Sequence, residues 1–459
     1  MRGASAGAMQ MGRTAAVASR RAGATLPPPT AYWKHAHRLA ILLIAIIAVR
    51  LHEIVPQLAP LKPALSTAVV GLGFLMTRTR PEAIRSLLQS RTFLLVLAYF
   101  AWALIGVPFA LWVGLAASTI IVFVPALFML ASILLCAPTL RTLGVLQAGF
   151  VGATAISAVA LFAVGSGERL ELGGSYDSND TAALMALCLP FALGLVLHGR
   201  GRQRWIGLAA SALLAAAVVG TGSRGGTLAL LAGTFVFILG LRGGRKFGML
   251  AAAAVGLVLL WNFASEDFRG KMTALARGEE DYNETEYTGR KQIWARAAVY
   301  IKAHPIMGVG IGNFPVAEGD FLAAQGKRGK WSATHNSYIQ SSAELGLPGG
   351  LLFSALLLLA AFRSFPYWRM RGRGTLARLR HRPELLASIA AFGVSSFFLS
   401  HAYFFVFFAL VGFVETATRA LQAAESSGAP VMLPAQGRRH GGQPGPRRGF
   451  GPARLAPPA

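Results

Sequence analysis

Apolar runs long enough, or nearly long enough, to cross a bilayer recur at about 39–55, 63–77, 92–110, 118–136, 145–165 and 180–198. They recur again at about 205–220, 226–241, 247–263, 347–363, 385–400 and 402–418. Hydrocarbon offers no partner to free backbone N–H and C=O groups, so a spanning segment is either an α-helix of about 20 residues or a strand of a closed barrel. Barrel strands alternate in polarity, whereas these runs are continuously apolar, which selects helices. The expected fold class is an all-α polytopic membrane protein with about 12 transmembrane helices. Composition excludes an ordinary soluble enzyme: 54% of the 459 residues are hydrophobic and only 14% charged, against about 25% charged in water-soluble domains.

Charge orients the bundle. With the N-terminus inside, the inner loops and ends carry 30 Lys and Arg against four acids, and the outer ones 14 against 15. That asymmetry is a topogenic signal, and it accounts for the net charge of +25 without nucleic acid as a partner. One connection stands apart. Residues 264–346 separate the ninth and tenth spans, fall on the outer face and are too many for a hairpin. They read as one large external loop domain containing helices, at 290–303 and from His335, with an acidic stretch (279–286) and a Gly-rich turn, PIMGVGIGNFP.

The expected organisation is a disordered basic cytoplasmic arm (1–38), transmembrane helices 1–9 (39–263), the loop domain (264–346), transmembrane helices 10–12 (347–420) and a disordered cytoplasmic tail (421–459). The tail's Gly, Pro and Arg cannot build a core, and the arm lacks the apolar h-region of a cleavable signal peptide. Cys136 and Cys188 lie inside apolar runs and offer neither a disulfide framework nor a metal pair.

Four short segments carry polar residues where chemistry would sit. TGSRGG (221–226) puts Arg224 among three glycines at the outer junction of the seventh and eighth spans. Arginine is costly near hydrocarbon unless it snorkels or meets an anion, and glycines let a phosphate approach the backbone. The alternative is a tight turn with a snorkelling arginine. In TGRKQIWARAAVYIKAHP (288–305), Arg290 opens a helix whose Ile293, Trp294 and Ala297 would lie on the bundle. Helix N-terminus and guanidinium would then both favour a diphosphate. The alternative pairs Arg290 with the neighbouring acids; Lys291 and Arg296 read as solvated face.

In WSATHNSYIQSSAELGLPGG (331–350), Thr334 or Asn336 is a natural N-cap, which places His335 in the first turn, and Gly346 with Pro348 reads as a stop. There the helix dipole disfavours imidazolium and leaves the ring able to accept a proton near neutral pH. A lone loop histidine is otherwise an ordinary surface residue. In YDSNDTAALMAL (176–187), Asp177, Asn179 and Asp180 either cap the sixth span, or bind sugar hydroxyls or orient an arginine. No HExxH, CxxC pair, DxD-like clamp, P-loop or GxSxG occurs where it would serve, so no metal, nucleotide or other cofactor is implied. Runs such as FFVFFAL read as lipid-facing or core rather than as a prenyl groove.

GRKQIWARAAVYIKAHPIMGVGIGNF resembles the Arg, Trp, Pro, Gly-x-Gly and Asn-Phe block of bacterial O-antigen ligases, part of a larger group with O-antigen polymerases and protein O-oligosaccharyltransferases. HNSYIQSSAELGLPGG resembles their His-Asn motif, with Gly346, Gly349 and Gly350 at the family's spacing. SRGG and DSND resemble the remaining blocks less specifically, and the layout of spans with one large periplasmic loop is similar too.

The resemblance implies a metal-independent glycosyltransferase of the Gram-negative inner membrane with both termini cytoplasmic. It would transfer O-antigen polysaccharide from an undecaprenyl-diphosphate-linked glycan donor to the lipid A core acceptor of lipopolysaccharide, amid membrane lipids. It further implies His335 as general base, Arg224 and Arg290 as diphosphate clamps, and Asn336, Tyr338, Asp177, Asn179 and Asp180 as substrate-binding residues. The chemistry is consistent: a polyprenyl diphosphate is a stable anionic leaving group, so the protein must neutralise charge and deprotonate a sugar hydroxyl. Direct attack would invert the anomeric carbon. A polymerase or an O-oligosaccharyltransferase would use the same donor with another acceptor, and the absence of a large soluble domain after the last span leans toward ligase. A transporter of polyprenyl-linked glycan is the alternative of another class. It predicts charges near the bilayer midplane, whereas this chain keeps them at span ends.

Overall fold

The computed structural model describes residues 31–49, 56–78, 81–136, 139–165, 170–171, 177–277, 287, 289–327, 331–369, 377 and 380–426. Among them the chain is helical, with no β-strand. In chain order the helices are α1 Ala31–Val49, α2 Pro63–Arg78, α3 Pro81–Leu88, α4 Arg91–Gly106, α5 Val113–Cys136, α6 Leu140–Val164, α7 Ser178–His198 and α8 Arg202–Gly220. They continue as α9 Arg224–Gly240, α10 Gly244–Phe263, α11 Glu266–Arg277, α12 Arg290–Ala303, α13 Phe314–Ala324, α14 Ser337–Trp368, α15 Pro383–Phe398 and α16 Phe405–Ser426.

Each of the twelve apolar runs overlaps a helix, but only eight described helices are long and apolar enough to cross a membrane: α4 to α8, α10, α14 and α16. By length and composition the described residues therefore support eight spans where about 12 were expected. Helices α2, α9 and α15 have 16, 17 and 16 residues, short of the roughly 20 needed at 1.5 Å per residue, whereas the 3-10 turn Val107–Phe109 carries α4 on to a continuous span of 19. Residues 31–38, expected in the disordered arm, open α1, and 421–426 extend α16. The rest of both tails and the acidic stretch 279–286 lie outside the described residues.

Helix α7 lies at the centre. Every residue from Thr181 to Gly194 is buried, as suits a helix apolar on all sides. Glycines let the surrounding helices approach closely: Gly207 of α8 lies against Ala192 and Leu195, Gly226 of α9 against Ala182, and Gly233 of α9 against Ala391 of α15. In lipid, where apolar surface has no water to escape, such backbone approach is a main source of helix association. Beside α7, the rings of Phe392 and Phe407 stack at 4.4 Å, and Phe123, Phe353 and Phe408 continue the cluster. The FFVFFAL segment is therefore core: Val406, Phe407 and Phe408 are fully buried. Helix α10 is the opposite case, with Phe247, Val255 and Val258 exposed.

The two ends of the bundle differ. At the end bearing Arg91, Arg363 and Arg419, the buried Glu415 carboxylate accepts hydrogen bonds from Ser90 Oγ (3.1 Å), Thr92 Oγ1 (2.7 Å), Arg419 Nε (2.8 Å) and Arg363, joining α4, α14 and α16. At the other end, α12, α13 and the start of α14 share a small core of their own, built from Ile293, Ala297, Tyr300, Val309, Phe314 and Ala343.

Candidate functional site

Helix α14 is broken beside the turn that joins α12 to α13. Gly346 has φ 69° and ψ −178° inside it, a conformation open essentially to glycine alone. The break frees carbonyls that a continuous helix would use, and other segments take them: Val309 N–H donates to Ala343 O and Gly310 N–H to Glu344 O, both at 2.9 Å, and Trp102 Nε1 to Leu345 O at 2.9 Å. In the reverse direction Leu347 N–H donates to Pro305 O at 2.8 Å. The GVGIG turn fits this break because Gly308, Gly310 and Gly312 all take positive φ. Irregular backbone next to a membrane is tolerated only where protein or water satisfies it, and here protein does.

Above the break, Asn336 caps α14 by accepting from Tyr338 N–H and Ile339 N–H, each at 3.0 Å. His335 therefore precedes the helix instead of occupying its first turn, which corrects the sequence expectation. Its φ is 48°, unusual for a residue with a Cβ. Its backbone N–H donates to Ser400 Oγ at 2.9 Å, and the same hydroxyl lies 2.9 Å from Thr334 Oγ1. Ser400 is in the short turn between α15 and α16. The next residue, His401, donates its backbone N–H to Ser337 Oγ at 2.8 Å, and Ser337 Oγ donates to Leu399 O at 2.7 Å.

The other segments reach the same turn. Trp294, one helical turn after Arg290, donates Nε1–H to Thr334 O at 2.9 Å and sets its ring edge-on to Phe397 at 5.5 Å. Gly225 packs on Phe398 so closely that a Cβ there would lie 2.9 Å from that residue's Cβ. Asp177 caps α7, its Oδ1 accepting from Asn179 N–H (2.7 Å) and Asp180 N–H (2.9 Å). Asn179 Oδ1 accepts from Ser223 Oγ at 2.8 Å, and Asp180 Oδ1 lies 2.7 Å from His401 Nε2. Segments carrying Arg224, Arg290, His335 and the DSND block thus gather around residues 397–401.

Residues 209–354 match the family described as O-antigen ligase. A comparison with curated proteins finds no match. The match over residues 209–354 supports an assignment to the O-antigen ligase and polymerase family. The family's members are glycosyltransferase-like enzymes, and the apolar helices agree with a membrane setting. The matched segment runs from α8 into α14 and contains Arg224, Arg290, His335, Asn336 and Tyr338.

Within the matched segment, Arg224 and Arg290 are each the first residue of a helix, α9 and α12, and both are half-buried, as is His335. Asn336 is buried as the cap of α14. Tyr338 donates its hydroxyl to Gly393 O at 3.0 Å and so ties α14 to α15. Arg296 is not solvated face. Its guanidinium is bonded to the fully buried Glu318 by Nη2 at 2.7 Å and by Nε at 2.9 Å, which holds it protonated beyond its ordinary range. Tyr300 donates to the same carboxylate at 2.9 Å, and burial, then Glu318, pushes its phenol up. Sequence reasoning missed Ser400 and His401. The signal available was a polar pair in the very short turn between two apolar runs, on the face that carries the other polar blocks.

Proposed function

We propose that the chain is an O-antigen ligase that joins polysaccharide carried on undecaprenyl diphosphate to the lipid A core of lipopolysaccharide, at the periplasmic face of the inner membrane, with both termini cytoplasmic. The observation that carries this reading is the gathering of the Arg224, Arg290 and His335 segments around residues 397–401. Each arginine opens a helix, so its charge adds to the positive end of a helix dipole, an environment that favours a diphosphate.

In this mechanism Arg224 and Arg290 neutralise the charge that builds on the diphosphate as the bond from the anomeric carbon to the phosphate oxygen breaks. The imidazole of His335 takes the proton of the acceptor hydroxyl, whose oxygen forms the new bond to that carbon and inverts it. The products are the glycosylated acceptor and free undecaprenyl diphosphate, and His335 returns its proton to water. The donor bond itself drives the reaction. Asn336 and Tyr338 serve by fixing the start of α14.

The test is transfer by the purified full-length protein in liposomes containing lipid-linked polymer and core acceptor. His335→Ala should abolish product while leaving donor binding largely intact, and a chelator should leave wild-type transfer unchanged. Wild-type activity in His335→Ala removes that residue from the mechanism, and rescue of a chelated enzyme by magnesium or manganese overturns the metal-free step. A deletion strain distinguishes acceptors: loss of polymer from the core with lipid-linked polymer accumulating supports ligation, whereas a single-repeat product indicates a polymerase.

A further inference from the structure

We infer that Asn179 and Asp180 are positioning residues that hold the two halves of the site in register, Asn179 through Ser223 for Arg224 and Asp180 through His401 for His335. The inference rests on the ligase reading above and deepens it.

Both residues lie in the first turn of α7, which Asp177 fixes as its cap. The polar ends of Asn179 are committed to protein: Nδ2 donates to Asp177 Oδ2 at 3.1 Å, and Oδ1 accepts from Ser223. Ser223 Oγ in turn accepts from Gly226 N–H at 3.1 Å and is the cap of α9, whose first residue is Arg224. The direction in which α9 presents Arg224 is therefore set from α7.

Asp180 acts in the other direction. His401 is only 4% exposed, its ring is stacked on Phe404 at 4.2 Å, and its buried Nδ1 has no hydrogen-bond partner among the described residues. The contact of its Nε2 with Asp180 is thus what fixes the ring by polar bonding. A ring so held fixes the turn that contains Ser400, and Ser400 holds the N–H of His335. The left-handed backbone of His335 persists only if its surroundings impose it, and this turn imposes it from outside the helix. A sugar ligand would need polar atoms facing open space, whereas both polar ends of Asn179 are bonded to protein and Asp180 gives its Oδ1 to the α15–α16 turn.

The same liposome assay tests this, with kcat and KM measured separately and corrected for folded protein. Asp180→Ala and His401→Ala should each lower kcat by about a hundredfold, the scale of a small misplacement of a catalytic group, with the donor KM little changed. The double variant should be no worse than either single one, because both remove one link. Asp180→Asn should recover most of the activity, since its amide oxygen still accepts from Nε2–H. Asn179→Ala should instead raise the donor KM by about tenfold, through the loosened arginine. Should Asp180→Ala fail to fold, Ser400→Ala, which removes only the acceptor for His335 N–H and its Thr334 contact, carries the test with the same expected loss in kcat.

An Asp180→Asn variant as inactive as Asp180→Ala overturns the inference, because the charge and not the bond would then matter. Additive losses in the double variant, or normal kcat per folded molecule in all of them, also overturn it. If His335→Ala is inactive while these variants transfer normally, only this inference fails; if His335→Ala transfers normally, the ligase reading fails and takes the inference with it.

Discussion

The carboxylate of Glu344 accepts the backbone N–H of Gly312 at 2.8 Å, across 32 residues of chain. Its other oxygen faces Phe314 N–H at 3.4 Å. Glu344 lies on α14, the helix that His335 precedes, and Gly312 lies in the turn that follows α12, the helix opened by Arg290. One buried side chain therefore couples the element carrying the proposed base to the element carrying a proposed clamp.

Glu344→Ala should lower both the melting temperature and transfer, because a buried N–H left without a partner costs about 1–3 kcal/mol. Glu344→Gln keeps one accepting oxygen for Gly312 and should recover most of the loss. Thermal unfolding in detergent, followed by a transfer assay on the same samples, checks this; equal losses in the two variants would show that the charge, not the acceptor, holds the turn.

The Arg296–Glu318 pair should be a local anchor between α12 and α13. Arg296→Ala strands a fully buried carboxylate, a defect on the order of 3–5 kcal/mol, whereas Tyr300→Phe removes one hydrogen bond to it, worth about 1 kcal/mol. Hydrogen exchange along α12 and α13 should therefore rise far more in Arg296→Ala. The hydrogen bonds it donates to Glu318 keep the guanidinium charged, and burial, then Glu318, keeps the phenol a donor through neutral pH, so exchange there should be insensitive to pH apart from the intrinsic rate. Similar exchange in the two variants would contradict the anchor.

Gly346→Ala should be poorly tolerated. A side chain at φ 69°, ψ −178° costs about 1–3 kcal/mol in strain, and its Cβ would collide with the carbonyl of Ile306. Gly256→Ala in α10, where a new Cβ meets nothing within 4 Å, is the matched control and should be neutral or slightly stabilising. The comparison is read as yield and melting temperature of the purified proteins, and equal behaviour would mean that the break in α14 is not required.

Much of this was legible in the sequence because its cause is local. Continuous apolarity marked the helices, Asp177 before an apolar run marked the cap of α7, and glycines marked the turn that packs on α14. What was not legible depends on distant partners. Thr334 and Asn336 are both good caps, and only the remote turn at Ser400 gives His335 its place ahead of Asn336. Arg296 resembles solvated surface because Glu318 is 22 residues away. His401 carries no motif, and its meaning appears only when Asp180, 221 positions earlier, comes within 2.7 Å.

At the basic end, His381 gives a pH dependence whose sign can be worked out. The residue is 5% exposed, with Nε2 at 3.1 Å from Gly240 O, facing His198, Glu384 and Arg245. Burial, reinforced by His198 and Arg245 against the opposing pull of Gly240 O and Glu384, lowers its pKa below the usual 6.5. The unfolded chain then binds the proton more readily than the folded one. The stability that neutral His381 contributes is therefore complete above its ordinary value and is lost as pH falls through the lowered folded one. His381→Gln, which can keep a donor to Gly240 O but cannot titrate, should flatten that decline. Melting temperatures of the two proteins from about pH 7.5 to about pH 5.5 should diverge on the acid side, with the wild type falling more steeply, and parallel curves would mean that His381 is not the group responsible.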